Sequence, residues 1–469
     1  MFDKLKNFIG KAVSMIFPDK DIKERLDVEI EMSDIMQQAI ARWTNMYEDK
    51  ALWLDGDRVR SLNIPSSVAS EIARLVTIEM ESEVTGTNGK DNDRSIYLNE
   101  QYQKVIDSLR IQTEYAAAKG GMIFKPYIDG DNIAVDYVQA DNFYPVKFNS
   151  SGDLIAVIFP EVIVKNGKTY TRLEYHHLLE DNIYYVSNTS YVKDGEGNDL
   201  GGLGKPCELS SVEEWQDLEG ELNIEDVEKP LFSYFKLPLA NNKDSRSHLG
   251  VSIYAKAENL IEEVDRMYSS ILWEYKSKET AIDVSPDMLL NMELAEGEDR
   301  IFRKLDTDDE SFYEPYSPNI RDSSYFNGLN RLLQRVEYNC GLAYGTLSDM
   351  DIVEKTATEI NSSKQRSYST VSDIQKALRV ALEHLLYAMD FYTTMYNKAP
   401  TGEYEASFHF DDSIVINSKE EQAITLQEVA AGLIKPEYYL QKRYGLTEEQ
   451  ALEMLPNLDT GIDKYDDLE

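Results

Sequence analysis

The chain has 469 residues, of which 42% are hydrophobic and 10% aromatic, so two or more packed regions are expected. Its 85 acidic residues outnumber the 48 basic ones and give a formal net charge of −37. That balance excludes a sequence-specific reader of duplex DNA, because such proteins gain affinity by neutralising phosphates with Lys and Arg.

The sequence also argues against membrane-spanning and disulfide-bonded classes. No stretch approaches the roughly 20 uninterrupted apolar residues that a membrane-spanning helix needs, and no small-residue cleavage site follows an apolar run at the N-terminus. We therefore expect no membrane partner and a chain that stays in the cytoplasm. Cys207 and Cys340 lie far apart, which predicts two free thiols rather than a disulfide or a zinc site.

The N-terminal part is predicted to be helical. Residues 1–17 place apolar side chains at helical spacing among lysines, which indicates a short amphipathic helix. Docking of this helix on the body or on a partner is favoured over a membrane-surface anchor. Apolar periodicity predicts further helices over Ser33–Tyr47, Ser66–Glu81 and Tyr97–Ala117, with their apolar stripes facing the core.

From Gly121 the pattern changes to short alternating runs separated by Gly, Asp and Asn turns, which predicts an antiparallel sheet region. His176 and His177 are neighbours on one of these strands, where adjacent side chains point to opposite faces. A two-histidine metal site is therefore disfavoured, and we expect these residues to decorate the strand. Residues 190–230 are polar, acidic and contain glycines, which indicates a long loop or insert.

Long helices dominate the C-terminal half. A continuous apolar stripe predicts a helix over Val251–Ser277, followed by a short strand at 281–285 and an acidic stretch with few helix signals. Ser323 or Ser324 is positioned to cap the next helix, which runs to Gly341. Two long helices thus flank a small mixed module, an arrangement of stalk and tip.

A polar loop at 346–355 leads into a further long helix. Apolar periodicity, with capping-box spacing at the start, predicts this helix over Thr356–Tyr392. Alternation and β-branched residues predict a strand at 408–417. The tail over 419–458 shows two short helices joined at the segment GLIKPE.

No catalytic constellation stands out. The phosphate-binding patterns GxxxxGK[ST] and GxGxxG are absent, and no serine lies in a nucleophile-elbow context. Acidic doublets arise by chance among so many acidic residues, and no nearby His or Cys completes a metal set. These weak candidates are Asp308, Asp309 and Glu310, Asp349 and Asp351, and Asp411 and Asp412. We predict no cofactor, no metal, no catalytic residue and no enzymatic activity.

Two other classes of function stay open as alternatives. One is a metal-dependent enzyme that acts on DNA or a glycan through paired carboxylates, which predicts divalent-metal binding or hydrolysis. The other is an acidic lattice-forming structural protein, which the tyrosine-rich sheet region suits and which predicts a secretion signal.

One segment departs from the acidic character of the chain. Between residues 355 and 382, five basic residues stand against two acidic ones. The segment is either a solvated helix face or a helix that approaches a polyanion, an attraction that a ring of copies would multiply. The basic residues are Lys355, Lys364, Arg366, Lys376 and Arg379.

Three segments of the C-terminal half carry a resemblance to a known family. They are HLGVSIYAKAENLIEEVDRMYSSILWEYKSKETAIDVS (248–285), KTATEI (355–360), and FDDSIVINSKEEQ (410–422) with AAGLIKPEYYLQKRYGLTEEQALEML (430–455). With the order of elements, they resemble the portal proteins of tailed bacteriophages, particularly those of phages that infect Gram-positive bacteria. Other head-tail connectors are the nearest rival, but such proteins are usually shorter and lack two long helices flanking a tip.

The resemblance implies an α+β portal fold. The implied regions are a mixed helix and sheet wing over 1–247 with the insert at 190–230, a stem helix over 248–281, a small α/β clip over 282–320, a second stem helix over 321–345, a tunnel loop over 346–358, a channel helix over 359–398, a wing strand over 399–417 and a helical crown over 418–469.

The resemblance also implies a function. It predicts a dodecameric ring that forms a channel at one capsid vertex for genome packaging, retention and ejection. The implied partners are double-stranded DNA without sequence specificity, the terminase large subunit, a head-completion or adaptor protein, and the major capsid and scaffolding proteins. The implied location is the virion, with assembly in the host cytoplasm.

Within such a channel, acidic walls would repel the DNA backbone while a few basic side chains hold it transiently. We expect Lys355, Lys364 and Arg366 to form a sparse basic ring in the DNA channel. Asp349 and Asp351 of the tunnel loop are expected to be the repelling partners.

Overall fold

The structure is a computed structural model. It describes residues 19–56, 58–195, 202–284, 301–304, 313–315, 321–349, 357–410, 425–444, 451–452 and 454–455. The helix predicted over residues 1–17 therefore lies outside the described residues. The described residues up to Phe410 belong to one compact unit, and those after it belong to a second unit.

The first unit begins with four helices. They are α1 (Asp19–Leu26), α2 (Asp34–Tyr47), α3 (Ile64–Thr77) and α4 (Asp93–Lys119). The predicted helix over Ser33–Tyr47 is confirmed, and the Ser33 side chain accepts a hydrogen bond from the Met36 N–H at its start. The predicted helix over Tyr97–Ala117 begins earlier, at Asp93, because Asn92 and Ser95 form a capping box there, and it ends later, at Lys119, before Gly120.

Helix α3 differs from its predicted bounds at both ends. It begins at Ile64 because Pro65, whose backbone angle suits a first helical turn, lies there. It ends at Thr77 instead of Glu81, since the chain then enters strand β1 (Met80–Gly86). This strand pairs with β14 (Tyr404–Phe410), more than three hundred residues later, and such a distant partner leaves no local signal.

The antiparallel sheet region predicted from Gly121 is confirmed. A three-stranded sheet has the order β10–β2–β3, and a larger sheet has the order β4–β5–β6–β7–β8 with β9 also paired to β7. The strands are β2 (Gly121–Asp129), β3 (Asn132–Gln139), β4 (Tyr144–Phe148), β5 (Leu154–Lys165), β6 (Lys168–Leu178), β7 (Tyr184–Asp194), β8 (Lys205–Cys207), β9 (Glu221–Ile224) and β10 (Ser233–Lys236).

The described part of the polar stretch 190–230 is not a loop excursion. Strands β8 and β9 both pair antiparallel with β7. Val212 and Trp215 are buried against Ile163 of β5 in a small cluster of their own. The sequence pattern predicts a loop here because these apolar anchors are single residues within an acidic sequence.

The first long helix of the C-terminal half is α5 (Glu258–Thr280). It begins at Glu258 and not at Val251, where the sequence predicts its start. Residues 253–257 form turns instead, and residues 251–257 are buried except for Lys256. The Ile253 N–H donates to the Ala117 carbonyl at 3.0 Å. The apolar pattern of this segment therefore predicts its burial correctly and its backbone conformation wrongly. The close approach to the end of α4 fixes this non-helical path.

A small mixed sheet follows α5, with the order β12–β11–β13. Its strands are β11 (Ala281–Val284), β12 (Ile301–Lys304) and β13 (Tyr313–Pro315). Strand β11 runs parallel to β12 and antiparallel to β13. The strand predicted at 281–285 is thus confirmed, and the following acidic stretch contains two short strands.

Helix α6 (Asp322–Asn339) follows this sheet, and a longer helix, α7 (Ala357–Met395), follows the loop region. The predicted serine cap of α6 is wrong: Arg321 occupies the cap position, without a side-chain capping hydrogen bond. The strand predicted at 408–417 is observed from Tyr404 to Phe410, in register with β1, and 411–417 lie outside the described residues.

The second unit contains the two short helices predicted for the tail. Residues 425–430 are helical, and α8 spans Pro436–Tyr444. Gly432, with a positive φ of +70°, lies between them, as expected for a glycine that ends a helix. In the described parts of both units, no helix is long and apolar enough to cross a membrane.

One hydrophobic core joins the N-terminal helices, the sheets and the long helices of the first unit. Helix α7 contributes a stripe of buried residues that lies against β10 and β2. These residues are Ile374, Leu378, Leu382, Leu385 and Met389. The fold is α+β, as predicted.

Several buried charges of the first unit form ion pairs within the chain. Lys119 Nζ lies 2.6 Å from Asp141 Oδ2, and both side chains are 2% exposed. Glu174 on β6 lies 2.9 Å from Lys125 Nζ and 3.1 Å from Arg172 Nη2. The pairing offsets the cost of burial, because an isolated charge in an apolar interior is strongly unfavourable.

His176 does not merely decorate its strand. Its side chain is buried, with Nδ1 2.8 Å from the Tyr184 hydroxyl and Nε2 2.7 Å from Glu174 Oε1. Burial lowers the pKa of His176, although the hydrogen bond with Glu174 opposes that shift. His176 is therefore a neutral member of the buried network at neutral pH.

Candidate functional site: the helix junction before the predicted tunnel loop

The chain leaves α6 in a tight turn against α7. Gly341 has a φ of +73°, and a Cβ atom at this position would lie 2.3 Å from Thr370 Oγ1 of α7. A side chain here would meet both backbone strain and a steric clash. Glycine therefore allows the segment 341–349 to start close to α7, and we call the meeting of α6, this segment and α7 the helix junction.

Glu337, near the end of α6, holds the described start of the predicted tunnel loop. Its side chain is completely buried. Oε1 accepts hydrogen bonds from the Leu347 N–H at 2.6 Å and the Ser348 N–H at 2.8 Å. Oε2 accepts from the Ser348 hydroxyl at 2.9 Å and the Gly345 N–H at 3.3 Å. Charge-assisted bonds of this kind fix the path of residues 345–348.

Asn330, two turns earlier on α6, holds the next residue of the segment. Asp349 N–H donates to Asn330 Oδ1 at 2.8 Å, and Asn330 Nδ2 donates to the Asp349 carbonyl at 3.1 Å. This reciprocal pair fixes the backbone of Asp349, while the residue itself is exposed. Glu337 and Asn330 together form a clamp on residues 345–349, which we call the loop clamp.

Sequence reasoning missed both residues of the loop clamp. Glu337 directly follows buried Val336 and precedes buried Cys340 on the same helix, so a charged residue on an apolar face was the available signal. Its partners are mostly backbone amides, which carry no residue signature. Asn330 left no signal at all, because an asparagine on a helix is ordinarily solvated.

Arg366 is the one predicted channel cation whose side chain is described. It extends from α7 to the helix junction, where its guanidinium carbon lies 4.1 Å from the Tyr338 ring centroid and 5.6 Å from that of Tyr344. Both distances are within the range of cation–π attraction. The guanidinium is therefore held in one place against α6 and the following segment.

The other predicted channel residues are only partly covered. Asp351 and Lys355 lie outside the described residues, and Lys364 lies in α7 with its side chain outside them. Asp349 and Arg366 thus both contact α6, Asp349 through Asn330 and Arg366 through Tyr338. Contact of any of the five residues with DNA stays a prediction.

The described part of the junction contains one thiol, that of Cys340. Both cysteines are free, as predicted. Burial raises the pKa of the Cys340 thiol, and the nearby Glu337 carboxylate raises it further, so the thiol stays protonated. Among the described residues, no group of three or more His, Cys, Asp and Glu side chains is arranged to hold a metal ion.

Comparison with known proteins identifies the family. The family described as "Phage portal protein, SPP1 Gp6-like" matches residues 57–460. No curated protein sequence matches significantly. A solved structure titled "Neck of empty GTA particle computed with C6 symmetry" is similar at 11% identity and a TM-score of 0.43, covering 87% of this chain and 94% of that chain. Because the family match spans well over half of the sequence, this chain belongs to the SPP1 Gp6-like phage portal proteins, structural subunits of the ring at a capsid vertex.

Proposed function

We propose that this chain forms a dodecameric ring whose channel serves genome packaging, retention and ejection, and that it has no enzymatic activity. The family match over residues 57–460 carries this proposal. The proposed partners are double-stranded DNA without sequence preference, the terminase large subunit, a head-completion or adaptor protein, and the major capsid and scaffolding proteins. Assembly would take place in the cytoplasm of a Gram-positive host.

The order and packing of the long helices support the proposed regions. Helices α5 and α6 flank the small sheet β11–β13 and pack on each other, as two stem helices on either side of a clip would. Arg321 Nη2 at the start of α6 lies 3.0 Å from Glu274 Oε2 near the end of α5. We assign 248–281 and 321–345 to the stem, 282–320 to the clip and 359–398 to the channel helix.

The wing and the crown complete the assignment. We assign 1–247 and 399–417 to the wing, since β14 pairs with β1 and thereby returns the chain to the N-terminal body. Residues 418–469 would form the crown, and the compact unit that begins at Asp411 supports a separate region there. The tunnel loop would span 346–358.

The loop clamp suggests how the channel handles DNA. A loop that leaves α6 from a fixed base presents the same residues toward the ring axis in every subunit. Asp349 and Asp351 would repel the phosphate backbone, whereas Lys355 and Lys364 would make transient contacts that the copy number of the ring multiplies. A sparse basic ring within acidic walls lets the duplex slide without gripping it.

Replacing the two lysines tests this channel. Lys355→Gln/Lys364→Gln should lower the amount of nuclease-protected DNA per particle several-fold, while the mass of the purified ring stays unchanged. Lys376→Gln is the matched control, since Lys376 lies on the same helix, pairs with Asp373 at 3.3 Å and is mostly exposed. Normal DNA content in the double variant would remove these lysines from the proposed channel.

A further inference from the structure

A cavity of about 240 Å³ opens where residues 251–256, the end of α6 and α7 meet. It contains two basic side chains and no acidic one, although the chain has 85 acidic residues and only 48 basic ones. The lining residues that bear on its occupant are Lys256, Tyr338, Asn339 and Arg366. The composition favours an oxyanion as occupant, because cations without counter-charges attract one.

Arg366 supplies the strongest reason to expect an occupant. Its guanidinium stacks on Tyr338 and Tyr344, yet its Nη1 atom is buried and has no hydrogen-bond partner among the described residues. Buried donors in native proteins nearly always have a partner, and an orphan donor often marks a missing ligand or ion. A cationic donor makes this demand stronger than a neutral one.

Arg379 lies on the same helix as Arg366 and, unlike Arg366, is paired with a carboxylate of its own chain. Its guanidinium carbon lies 5.5 Å from the Phe408 ring centroid, and its Nε donates to Glu383 Oε1 at 2.8 Å. Arg379 thus has both an aromatic face and a carboxylate from its own chain. Arg366 has the aromatic faces, and no carboxylate within the described residues pairs with it.

The other polar groups of the cavity are compatible with a carboxylate. Lys256 is exposed at the cavity and forms no ion pair with any described residue. Asn339 Nδ2 donates to the Lys256 carbonyl at 3.2 Å, which ties the segment before α5 to the end of α6. The two cations are therefore carried by elements that are fixed to each other.

We propose that this cavity receives a carboxylate side chain from the neighbouring copy of this chain, paired with Arg366 and Lys256. The proposal rests on the proposed ring. A chain with a net charge of −37 brings many carboxylates to each contact between copies. A guanidinium held by two aromatic rings suits a partner in a fixed position, since Arg forms two parallel bonds to a carboxylate.

DNA fits this cavity less well than a neighbouring copy. A phosphate that entered it would be gripped by a guanidinium that is fixed by Tyr338 and Tyr344. Such a grip opposes sliding, which a packaging channel requires. The geometry thus gives Arg366 a role in joining subunits rather than the DNA contact predicted from its sequence position.

The purified full-length protein tests this proposal through the concentration at which its rings dissociate, measured by mass photometry at low and high salt. Arg366→Gln should raise that concentration by about tenfold or more, as expected when one member of a desolvated charge pair is removed. Lys256→Gln, which changes an exposed side chain and leaves the fold intact, should raise it less. Arg379→Gln is the matched control and should match the wild type, because its carboxylate lies in its own chain.

The possible outcomes separate the occupants. Rings of Arg366→Gln and Lys256→Gln that are as stable as the wild type would overturn the proposal and leave the portal ring standing. Intact variant rings with less retained DNA would overturn it in favour of a DNA phosphate, and intact rings in which inorganic phosphate stabilises only the wild type would favour a free anion. A wild type that forms no ring would refute the proposed function itself. A carboxylate of the neighbouring copy within hydrogen-bond distance of Arg366 Nη1, seen by cryo-electron microscopy of the ring, would support the proposal directly.

Discussion

The body and the helix junction differ in the groups that satisfy their buried charges. The body is the sheet region that begins at Gly121, together with the end of α4 that packs on it. In the body, Lys119 is paired with Asp141, and Glu174 lies between Lys125 and Arg172. At the junction, Glu337 accepts hydrogen bonds from three backbone amides and one hydroxyl, and no described cation pairs with it. Arg366 lies on aromatic rings, also without a described counter-charge.

The difference indicates two purposes. Pairs that are complete within one chain contribute to the folding of the subunit itself, because each charge finds its partner without help from outside. A charge that is held by neutral groups has a different role. Glu337 fixes the path of a segment, and Arg366 can pair with a carboxylate from another subunit. We infer that the body stabilises the subunit, while the junction positions the tunnel loop and joins the subunits of the ring.

The largest effect is expected from breaking the buried pair of the body. Lys119→Met leaves Asp141 without its cation in a site where both side chains are 2% exposed. Loss of one partner of a buried pair should lower the free energy of unfolding by about 3–5 kcal/mol, measured by urea unfolding. Lys168→Met, which removes an exposed pair with Asp194, is the control. A loss as small as that of the control would show that the body does not depend on its internal pairs.

A local effect is expected from the loop clamp. Glu337→Gln keeps the shape of the side chain but replaces one acceptor with an NH₂ group, which would then face other hydrogen-bond donors. The unsatisfied groups should cost about 1–3 kcal/mol, and amide hydrogen exchange at residues 345–348 should become faster. Glu262→Gln, in an exposed pair with Arg266 on α5, is the matched control. Unchanged exchange at 345–348 would mean that Glu337 does not fix the loop base.

The buried network of the body also predicts a dependence on pH. Burial lowers the pKa of His176 from its ordinary value of 6.5, so the unfolded chain binds a proton more readily than the folded one. Stability is therefore complete above about pH 6.5 and falls as the pH decreases toward the folded pKa, by at most about 1.4 kcal/mol per pH unit for one group.

His176→Gln should reduce this slope, which thermal unfolding between pH 7.5 and 5 would measure as a roughly one-proton difference. It would not abolish the slope, because burial also lowers the pKa values of His177 and His384. The carboxylate of Glu174 acts in the same direction at lower pH: burial raises its pKa, but Lys125 and Arg172 outweigh burial and hold the pKa well below its ordinary value. An unchanged slope in the variant would contradict a neutral buried His176.

The smallest effect is expected at the surface of α7. Lys376→Gln removes an ion pair with Asp373 in which both side chains are mostly exposed. Because solvent screens such pairs, the free energy of unfolding should change by no more than about 0.5 kcal/mol, and ring formation should not change. An effect as large as that of Arg366→Gln would show that any basic residue on this helix matters, and would remove the special role of the junction.

Local periodicity was enough to predict most elements of this fold. Helix α2, the antiparallel strands after Gly121, the strand after α5 and the two tail helices all carry their signals within a few residues. The errors arise where distant contacts decide the backbone. Residues 251–257 follow the end of α4 instead of continuing a helix, and β8 and β9 are recruited by pairing with β7.

The site was harder to predict than the fold. The sequence indicated the right neighbourhood, because the basic run on α7 and the polar loop before it include Asp349 and Arg366. It did not indicate the loop clamp, since Glu337 acts on backbone amides eight to eleven residues away. Nor did it separate Arg366 from its neighbours, because the difference lies in Tyr338 and Tyr344, which reach it only in the folded chain.

The most direct measurement is cryo-electron microscopy of the purified full-length protein, with light scattering to give its mass. We expect a closed ring with a stalk, a central opening that admits a DNA duplex, and the segment 345–349 fixed to α6 at the base of the loops that line the opening. A stable monomer at every salt and protein concentration would contradict it.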